Sequence, residues 1–264
     1  MNVLDLFSGI GGFSLGLERA RMRTRAFCEI DPYCRAVLRR HWPDVPVYDD
    51  VRTLTASCLT TNPKYQRQFR AIGPERGWSG DCGIDVICGG FPCQDISHAG
   101  KRAGLTGERS GLWREFGRLV GELRPRFAIV ENVAALTVRG LLDVLGDLAD
   151  LRYDAEWRVL GADDIGASQH RKRLWILAYP DDARLQGPIW ARQPGTSRAQ
   201  WQTAHCEPLR SDSGYWPPGP GAVIHIPRMA DGPANRSHRL RALGNAVVPQ
   251  IPEIIGRAIM RAQP

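Results

Sequence analysis

Short apolar segments alternate with amphipathic segments through the first 180 residues of this 264-residue chain. Short apolar runs are typical of buried strands, and apolar residues repeating every 3.6 residues are typical of helices. The alternation predicts an α/β fold with a mainly parallel, doubly wound sheet. The predicted strands are residues 3–7, 26–30, 45–48, 85–88, 127–130, 153–159 and 174–179. The last two are predicted to form a hairpin.

Helix signals separate these strands. Asp31 as N-cap and Pro32 as the first helical residue predict a helix that stops before Pro43. Further helices are predicted over residues 13–17, 112–123, 141–148 and 251–259. Residues 55–81 are polar and predict a loop with one or two helical turns. Residues 181–228 are rich in Pro, Gly, Arg and Trp and predict a small irregular domain or a set of long loops.

The composition, 43% hydrophobic and 24% charged, is ordinary for a soluble globular protein. No apolar run is long enough to cross a bilayer. Asp5 interrupts the amino-terminal segment, which therefore does not resemble a signal peptide, and we expect a cytoplasmic protein. The seven cysteines show neither Cys-x-x-Cys pairs nor zinc spacing, which predicts reduced thiols and no structural metal.

The chain carries a net charge of +7, and nearly all its basic residues are arginines. Excess positive charge favours a polyanionic partner. Arginine-rich coding would produce the same excess, so the charge alone does not identify a partner.

The first strand runs into a turn that reads Asp-Leu-Phe-Ser-Gly-Ile-Gly-Gly-Phe over residues 5–13. A strand, a glycine turn and a helix start together form a nucleotide-binding corner. Ser14 stands where a dinucleotide fingerprint has its third glycine, which favours an adenosyl ligand without a pyrophosphate. Glu29 and Asp50 end the next two strands, where they could accept hydrogen bonds from ribose hydroxyls and from an adenine amino group. Singly, each could be an ordinary surface acid.

The tract Gly-Gly-Phe-Pro-Cys-Gln at residues 89–94 presents Cys93 in a tight turn directly after a strand. Pro92 fixes its own φ and provides a rigid mount, while the glycines let backbone approach a ligand closely. Cysteine is more often a buried core residue, but at a strand end Cys93 is a candidate nucleophile. Residues 97–111 contain Gly, Lys and Arg and are expected to be mobile.

Two further groups follow strands near Cys93. Glu131 follows the neighbouring strand, where burial would raise the pKa of its carboxyl and let it supply a proton. A helix-capping glutamate is the alternative. Alternation along the run Gln-His-Arg-Lys-Arg at residues 169–173 places Gln169, Arg171 and Arg173 on one face. Arginine offers a planar fork to a carbonyl or phosphate, although such charge runs are usually solvated.

In this order, the motifs resemble those of the DNA (cytosine-5) methyltransferases of bacteria and phages. The matching stretches are residues 5–12, 29–31, 50–51, 90–97, 131–133, 169–173 and 244–249. The resemblance implies a fold of the S-adenosylmethionine-dependent methyltransferase type, S-adenosyl-L-methionine as cofactor and double-stranded DNA as partner. It also implies a monomer of a restriction-modification system, without metal or membrane.

The resemblance also implies residue roles. Cys93, as thiolate, would attack C6 of a cytosine flipped out of the duplex. Glu131 would bind the exocyclic amine and N3, Arg173 would hold the carbonyl oxygen, and Arg171 would fix the surrounding loop. Residues 97–111 would close over the site. The implied cofactor-binding residues are Phe7, Gly9, Gly11, Gly12, Glu29, Ile30, Asp50, Val51, Gly90, Pro92, Leu112, Asn245 and Ala246.

The implied domains are a catalytic and cofactor-binding domain (residues 1–180), a short target-recognition region (181–228) and a return segment that completes the cofactor pocket (229–264). The target-recognition region has no readable code. The alternatives are an RNA cytosine-5 methyltransferase, a catalytically silent DNA-binding relative and a nicotinamide-dependent dehydrogenase. The glycine spacing disfavours the dehydrogenase, and the presence of Cys93, Glu131 and the arginines disfavours the silent relative.

Overall fold

The computed structural model describes residues 1–70, 82–92, 111–165, 171–183 and 242–262. Its strands are β1 Asn2–Leu6, β2 Arg23–Cys28, β3 Val47–Tyr48, β4 Val86–Gly89, β5 Phe127–Val133, β6 Tyr153–Gly161 and β7 Lys172–Pro180. They form one seven-stranded sheet in the order β3-β2-β1-β4-β5-β7-β6. Strands β1 to β5 pair in parallel, and β7 pairs antiparallel with β5 and β6. The predicted α/β class and the predicted hairpin are confirmed.

Strand β5 is longer than its apolar run suggests. The sequence predicts its end at Val130, where its parallel pairing with Gly89 of β4 does end. On the other side, β7 continues the ladder until Val133 lies opposite Arg173. Glu131 therefore lies within a strand, but beyond the end of the parallel neighbour. The chain that follows Gly89 becomes its neighbour on that side.

The helices are α1 Gly12–Arg19, α2 Pro32–His41, α3 Ala56–Thr61, α4 Pro63–Arg70, α5 Gly111–Leu123, α6 Leu136–Arg139, α7 Leu141–Asp150 and α8 Gln250–Ala262, with a short 3-10 helix at Ala162–Ile165. None of the helices in the described ranges is long and apolar enough to span a membrane. The predicted start of α2 is confirmed, because the Asp31 side chain accepts hydrogen bonds from the N–H groups of Tyr33 (2.8 Å) and Cys34 (3.2 Å).

Residues 56–70 contain more helix than the sequence suggests. Thr55 caps α3 by accepting a hydrogen bond from the N–H of Cys58 (3.2 Å), and Asn62 accepts one from the N–H of Lys64 (2.9 Å) at the start of α4. These polar residues, which favour a loop when read singly, instead satisfy the free N–H groups of two helix starts. Residues 71–81 lie outside the described residues.

Apolar side chains cover both faces of the sheet. On one face, α5 and α7 contribute Trp113 and Val144, both fully buried. On the other, Phe13 of α1 and Ile251 of α8 belong to one cluster with Trp175 of β7, and the Phe13 and Trp175 rings are 5.5 Å apart. Since both faces are covered, a ligand is best accommodated at the carboxyl edge of the strands.

Candidate functional site

Four parallel strands end side by side at one edge of the sheet. Leu6 at the end of β1 is in register with Cys28 of β2 and with Gly89 of β4, and Gly89 is in register with Val130 of β5. The residues that follow these ends therefore emerge next to one another. Among the predicted site residues, those that lie within three residues after these ends are Phe7, Gly9, Glu29, Ile30, Gly90, Pro92 and Glu131.

The turn after β1 is held in a left-handed conformation, with φ of 52° at Phe7, 54° at Gly9 and 88° at Gly11. Glycine adopts these angles without the steric cost that a side chain brings. The N–H of Gly9 donates a hydrogen bond to Oε2 of Glu29 at 2.7 Å. A Cβ on Gly9 would meet no atom within 4 Å, so this side of the turn faces open space.

Glu29 is a buried carboxylate with an exposed apolar neighbour. Its residue surface is 9% exposed, and its Oε1 accepts a hydrogen bond from the N–H of Asp31 at 2.8 Å. Ile30 exposes 67% of its surface. Because each carboxylate oxygen can accept a second hydrogen bond, this arrangement can bind hydroxyl groups beside a flat apolar ring.

The Asp50 carboxylate, which the sequence suggested as an acceptor, already binds Arg52. The Arg52 guanidinium donates to both of its oxygens, with Nη2 at 2.7 Å from Oδ2, and this pairing lowers the pKa of Asp50. Val51 is buried, and its carbonyl accepts a hydrogen bond from Arg118 Nη2 at 3.0 Å. The position is well anchored, but a ligand amino group would have to share Asp50 with Arg52.

The carboxyl-terminal segment crosses the first turn of α1. A Cβ on Gly12 would lie 2.5 Å from the carbonyl oxygen of Val247, so backbone packs directly on backbone here. Two residues earlier, Asn245 is exposed, and Ala246 is half-buried. The predicted pocket residues Asn245 and Ala246 thus directly precede, along the chain, the residue that packs on the start of α1.

Glu131 is the centre of a second cluster. Its Oε1 lies 2.8 Å from Arg173 Nε, and its side chain is only 14% exposed. A Cβ on Gly90 would lie 2.7 Å from Oε2 of Glu131. The next residue, Asn132, donates a hydrogen bond from Nδ2 to the carbonyl of Phe91 at 3.0 Å. The chain leading to Cys93 therefore runs directly alongside this carboxyl.

Burial raises the pKa of Glu131, the direction expected from the sequence, while the charges of Arg173 and Arg171 oppose this shift. Burial and repulsion from Arg173 lower the pKa of Arg171. The site therefore combines a buried carboxyl of raised pKa with two guanidinium groups.

Several predicted residues lie outside the described residues: Cys93, Gln169, His170, residues 97–110 and residues 184–241. Pro92, which is exposed, and Leu112, which is half-buried, lie close to the two ends of the gap between residues 92 and 111. The roles of Cys93 and of the loop therefore remain predictions.

Two residues of this edge were missed as members of the site. Asp5 and Ser14 are fully buried, although both are polar. Ser14 donates to Oδ2 of Asp5 from its Oγ at 2.7 Å and from its N–H at 3.2 Å. The sequence feature that could have identified them is the carboxylate of Asp5 inside an otherwise apolar strand. Within the described ranges, no group of three or more His, Cys, Asp or Glu could hold a metal ion.

Comparison with known proteins places this geometry in context. Residues 1–208 match the family model described as C-5 cytosine-specific DNA methylase. The chain is 32% identical to the type II methyltransferase M2.BsuMI of Bacillus subtilis over 67% of its own length and 42% of that protein. It is 31% identical to the type II methyltransferase M.AquIA of a Picosynechococcus species, over 75% of its own length and 79% of that protein. It thus spans less than half the length of M2.BsuMI.

Solved structures show the same fold. A protein described as a DNA modification methyltransferase encoded within an E. coli prophage matches with a TM-score of 0.55 and 27% identity, over 74% of this chain and 51% of that one. A DNMT2 mutant of Spodoptera frugiperda matches with a TM-score of 0.54 over 73% of this chain and 53% of that one, at 17% identity. The second likeness concerns the fold alone.

Proposed function

We propose, because this chain belongs to the C-5 cytosine-specific DNA methylase family, that it transfers a methyl group from S-adenosylmethionine to C5 of a cytosine in double-stranded DNA. The observation that carries the proposal is the contact between Glu131 and the backbone at Gly90, at the edge where the glycine turn also opens. This contact puts a buried carboxyl, whose pKa is raised by its burial, beside the chain that leads to Cys93. The type II methyltransferases that resemble the chain support the same activity.

The residues at the edge fit S-adenosylmethionine, which supplies an electrophilic methyl group on a sulfonium. The open side of Gly9 leaves room beside the turn, and the buried Glu29 carboxylate suits a pair of ribose hydroxyls. The exposed Ile30 side chain offers an apolar surface to the adenine ring. Asp50 and Val51 would bind the adenine edge, with Arg52 sharing the Asp50 carboxylate. The remaining lining residues would be Phe7, Gly11, Gly12, Gly90, Pro92, Leu112, Asn245 and Ala246.

The base would be flipped into the cleft, since C5 and C6 of a stacked cytosine are out of reach. The Cys93 thiolate forms a bond to C6, and the ring electrons move to make C5 nucleophilic. C5 would then take the methyl group, leaving the neutral thioether S-adenosylhomocysteine. Loss of the C5 proton to a base such as water restores the C5–C6 double bond and expels the thiolate, and the proton on N3 returns to Glu131. Each bond made to sulfur is broken again, so the enzyme is regenerated.

Glu131 would assist the attack by supplying a proton to N3 of the ring as negative charge develops there. Burial raises the pKa of this carboxyl, the direction that suits such a role. Arg173, 2.8 Å from Glu131 Oε1, is placed to bind the carbonyl oxygen of the same base. Arg171, next to Arg173 in the cluster, would fix the surrounding loop.

We further propose that residues 1–180 form the catalytic and cofactor-binding domain, that residues 181–228 recognise the target, and that residues 229–264 complete the cofactor pocket. The packing of the segment around Val247 on α1 supports the last assignment. The protein would act as a monomer on duplex DNA in the cytoplasm.

The test is covalent trapping on duplex DNA that contains 5-fluorocytosine. Fluorine at C5 cannot leave as a proton does, so with S-adenosylmethionine present the wild type should accumulate an adduct that survives denaturing electrophoresis. Cys93→Ser should form no adduct and no 5-methylcytosine, while Cys58→Ala, at a half-buried thiol, should behave as the wild type. Adduct formation by Cys93→Ser, or none by the wild type, would refute the mechanism. The same assay with transfer RNA in place of DNA tests the alternative of an RNA cytosine-5 methyltransferase, which would methylate the RNA and not the duplex.

A further inference from the structure

Helix α1 starts without a capping side chain of its own. Its N-cap residue is Gly11, no side chain at that position accepts a hydrogen bond, and its first turn contains no acidic residue. The first N–H groups of a helix have no acceptor within the helix and must be satisfied from elsewhere. A helix start next to a ligand site therefore needs an outside acceptor if its geometry is to be fixed.

Asp5 of β1 supplies that acceptor. Its Oδ2 accepts hydrogen bonds from the N–H of Ser14, the third residue of α1, at 3.2 Å and from Ser14 Oγ at 2.7 Å. The Asp5 backbone is itself held in the middle of the sheet, in register with Phe27 of β2 and Cys88 of β4. The carboxyl thus joins the first turn of the helix to a strand that is paired on both sides.

The glycine turn is thereby fixed at both ends. At its start, Ser8 Oγ donates a hydrogen bond to the carbonyl of Asp5 at 2.6 Å. At its end, Ser14 is bound to the Asp5 side chain. Between these points lies Gly9, whose N–H reaches Glu29 at 2.7 Å. Asp5 therefore holds both ends of the turn that contains Gly9, and so positions the hydrogen bond between Gly9 and Glu29.

We infer that Asp5 and Ser14 form a positioning pair that holds the glycine turn in the geometry needed to bind the methyl donor. Neither residue of the pair would touch the base or the donor. The inference rests on the proposed function. Its loss should weaken donor binding far more than DNA binding, because the turn and Glu29 belong to the donor side of the cleft.

The Asp5 carboxyl can accept the hydrogen bonds from Ser14 in its neutral form. Burial raises the pKa of Asp5 to about 8, and the charge of Glu29 adds to the shift. The neighbouring Cys88 thiol also has a raised pKa because it is buried beside Asp5, so it adds no charge near neutral pH. An asparagine has the same shape and keeps an oxygen acceptor for Ser14, so Asp5→Asn should preserve the pair, whereas Asp5→Ala should remove it.

The experiment measures donor affinity by calorimetry for Asp5→Asn, Asp5→Ala, Ser14→Ala and the control Val144→Ala. Val144 is fully buried in α7, so its truncation lowers stability without touching the turn. We expect Asp5→Ala to weaken donor binding about tenfold or more, as loss of a buried hydrogen-bonded acceptor does. Ser14→Ala should weaken it less, and Asp5→Asn and Val144→Ala should bind nearly as the wild type.

Amide hydrogen exchange without donor provides a second readout. Asp5→Ala and Ser14→Ala should speed exchange at Gly9 and Ser14, while Val144→Ala should not. Wild-type donor affinity together with wild-type exchange in Asp5→Ala would overturn the inference. Equal losses in Asp5→Asn and Asp5→Ala would overturn the neutral-carboxyl role. A wild type that binds no donor but shows the expected exchange pattern would contradict the proposed function and leave the positioning of the turn supported.

Discussion

At the scale of single residues, two buried carboxyls at the same edge differ in what surrounds them. Burial raises the pKa of both Glu131 and Asp5. Around Glu131, the charges of Arg173 and Arg171 oppose the shift, and under the proposed function this group exchanges a proton with the base. Around Asp5, hydrogen bonds from Ser14 oppose it and the charge of Glu29 adds to it. The first environment suits chemistry, and the second suits a structural role.

The Asp5 environment predicts a pH dependence of stability. The ordinary pKa of this carboxyl is 3.8, and burial raises the pKa to about 8 in the native protein. Between these values the native state binds more protons than the unfolded state, so this group makes the free energy of unfolding fall as pH rises from about 4 to about 8. Asp5→Asn carries no titratable group and should flatten that fall. Denaturant unfolding of both proteins across this pH range is the measurement, and parallel pH profiles would contradict the prediction.

At the scale of elements, the important contact is between α1 and the carboxyl-terminal segment with α8. A Cβ on Gly16 of α1 would overlap the carbonyl of Pro249 and lie 2.9 Å from the N–H nitrogen of Glu253. Arg19, in the last turn of α1, lies 3.7 Å from the buried Glu253 carboxylate. The helix that starts at the glycine turn is therefore also the platform for the segment bearing Asn245 and Ala246.

Gly16→Ala should push α1 and the segment around Pro249 apart. The added methyl meets backbone that cannot move aside alone, so we expect a loss of about 1–3 kcal/mol in unfolding free energy and weaker donor binding. Gly117→Ala is the matched control, because a Cβ on Gly117 of α5 would meet no atom within 4 Å. In that helix interior the change should stabilise by about 0.5–1 kcal/mol. Thermal unfolding and donor calorimetry measure both effects, and equal behaviour of the two variants would argue against the packing role of Gly16.

At the scale of the whole molecule, the net charge of +7 becomes informative once the family is known. Nearly all of this positive charge is arginine. Because arginine binds phosphate oxygens through charged hydrogen bonds, we expect contacts from arginine to phosphate to carry much of the affinity for DNA under the proposed function.

Duplex affinity should therefore fall steeply with salt. The logarithm of the association constant should decrease linearly with the logarithm of salt concentration, by about 0.9 for each phosphate neutralised. Fluorescence anisotropy with a labelled duplex at several salt concentrations measures the slope. Donor binding in the same buffers is the control and should change little, because it releases no condensed counterions. A DNA affinity that does not change with salt concentration would show that phosphate contacts do not dominate DNA binding.

The sequence by itself determined the α/β class, the start of α2, the β6–β7 hairpin and the family, because periodicity, caps and ordered motifs are local properties of the chain. Only the tertiary structure decided that β5 extends to Val133 and that Asp5 caps α1 from inside the sheet. These depend on which distant segments meet: an antiparallel partner prolongs a strand, and a buried carboxyl takes its role from the groups that surround it. A linear pattern contains the residues of such contacts but not their pairing.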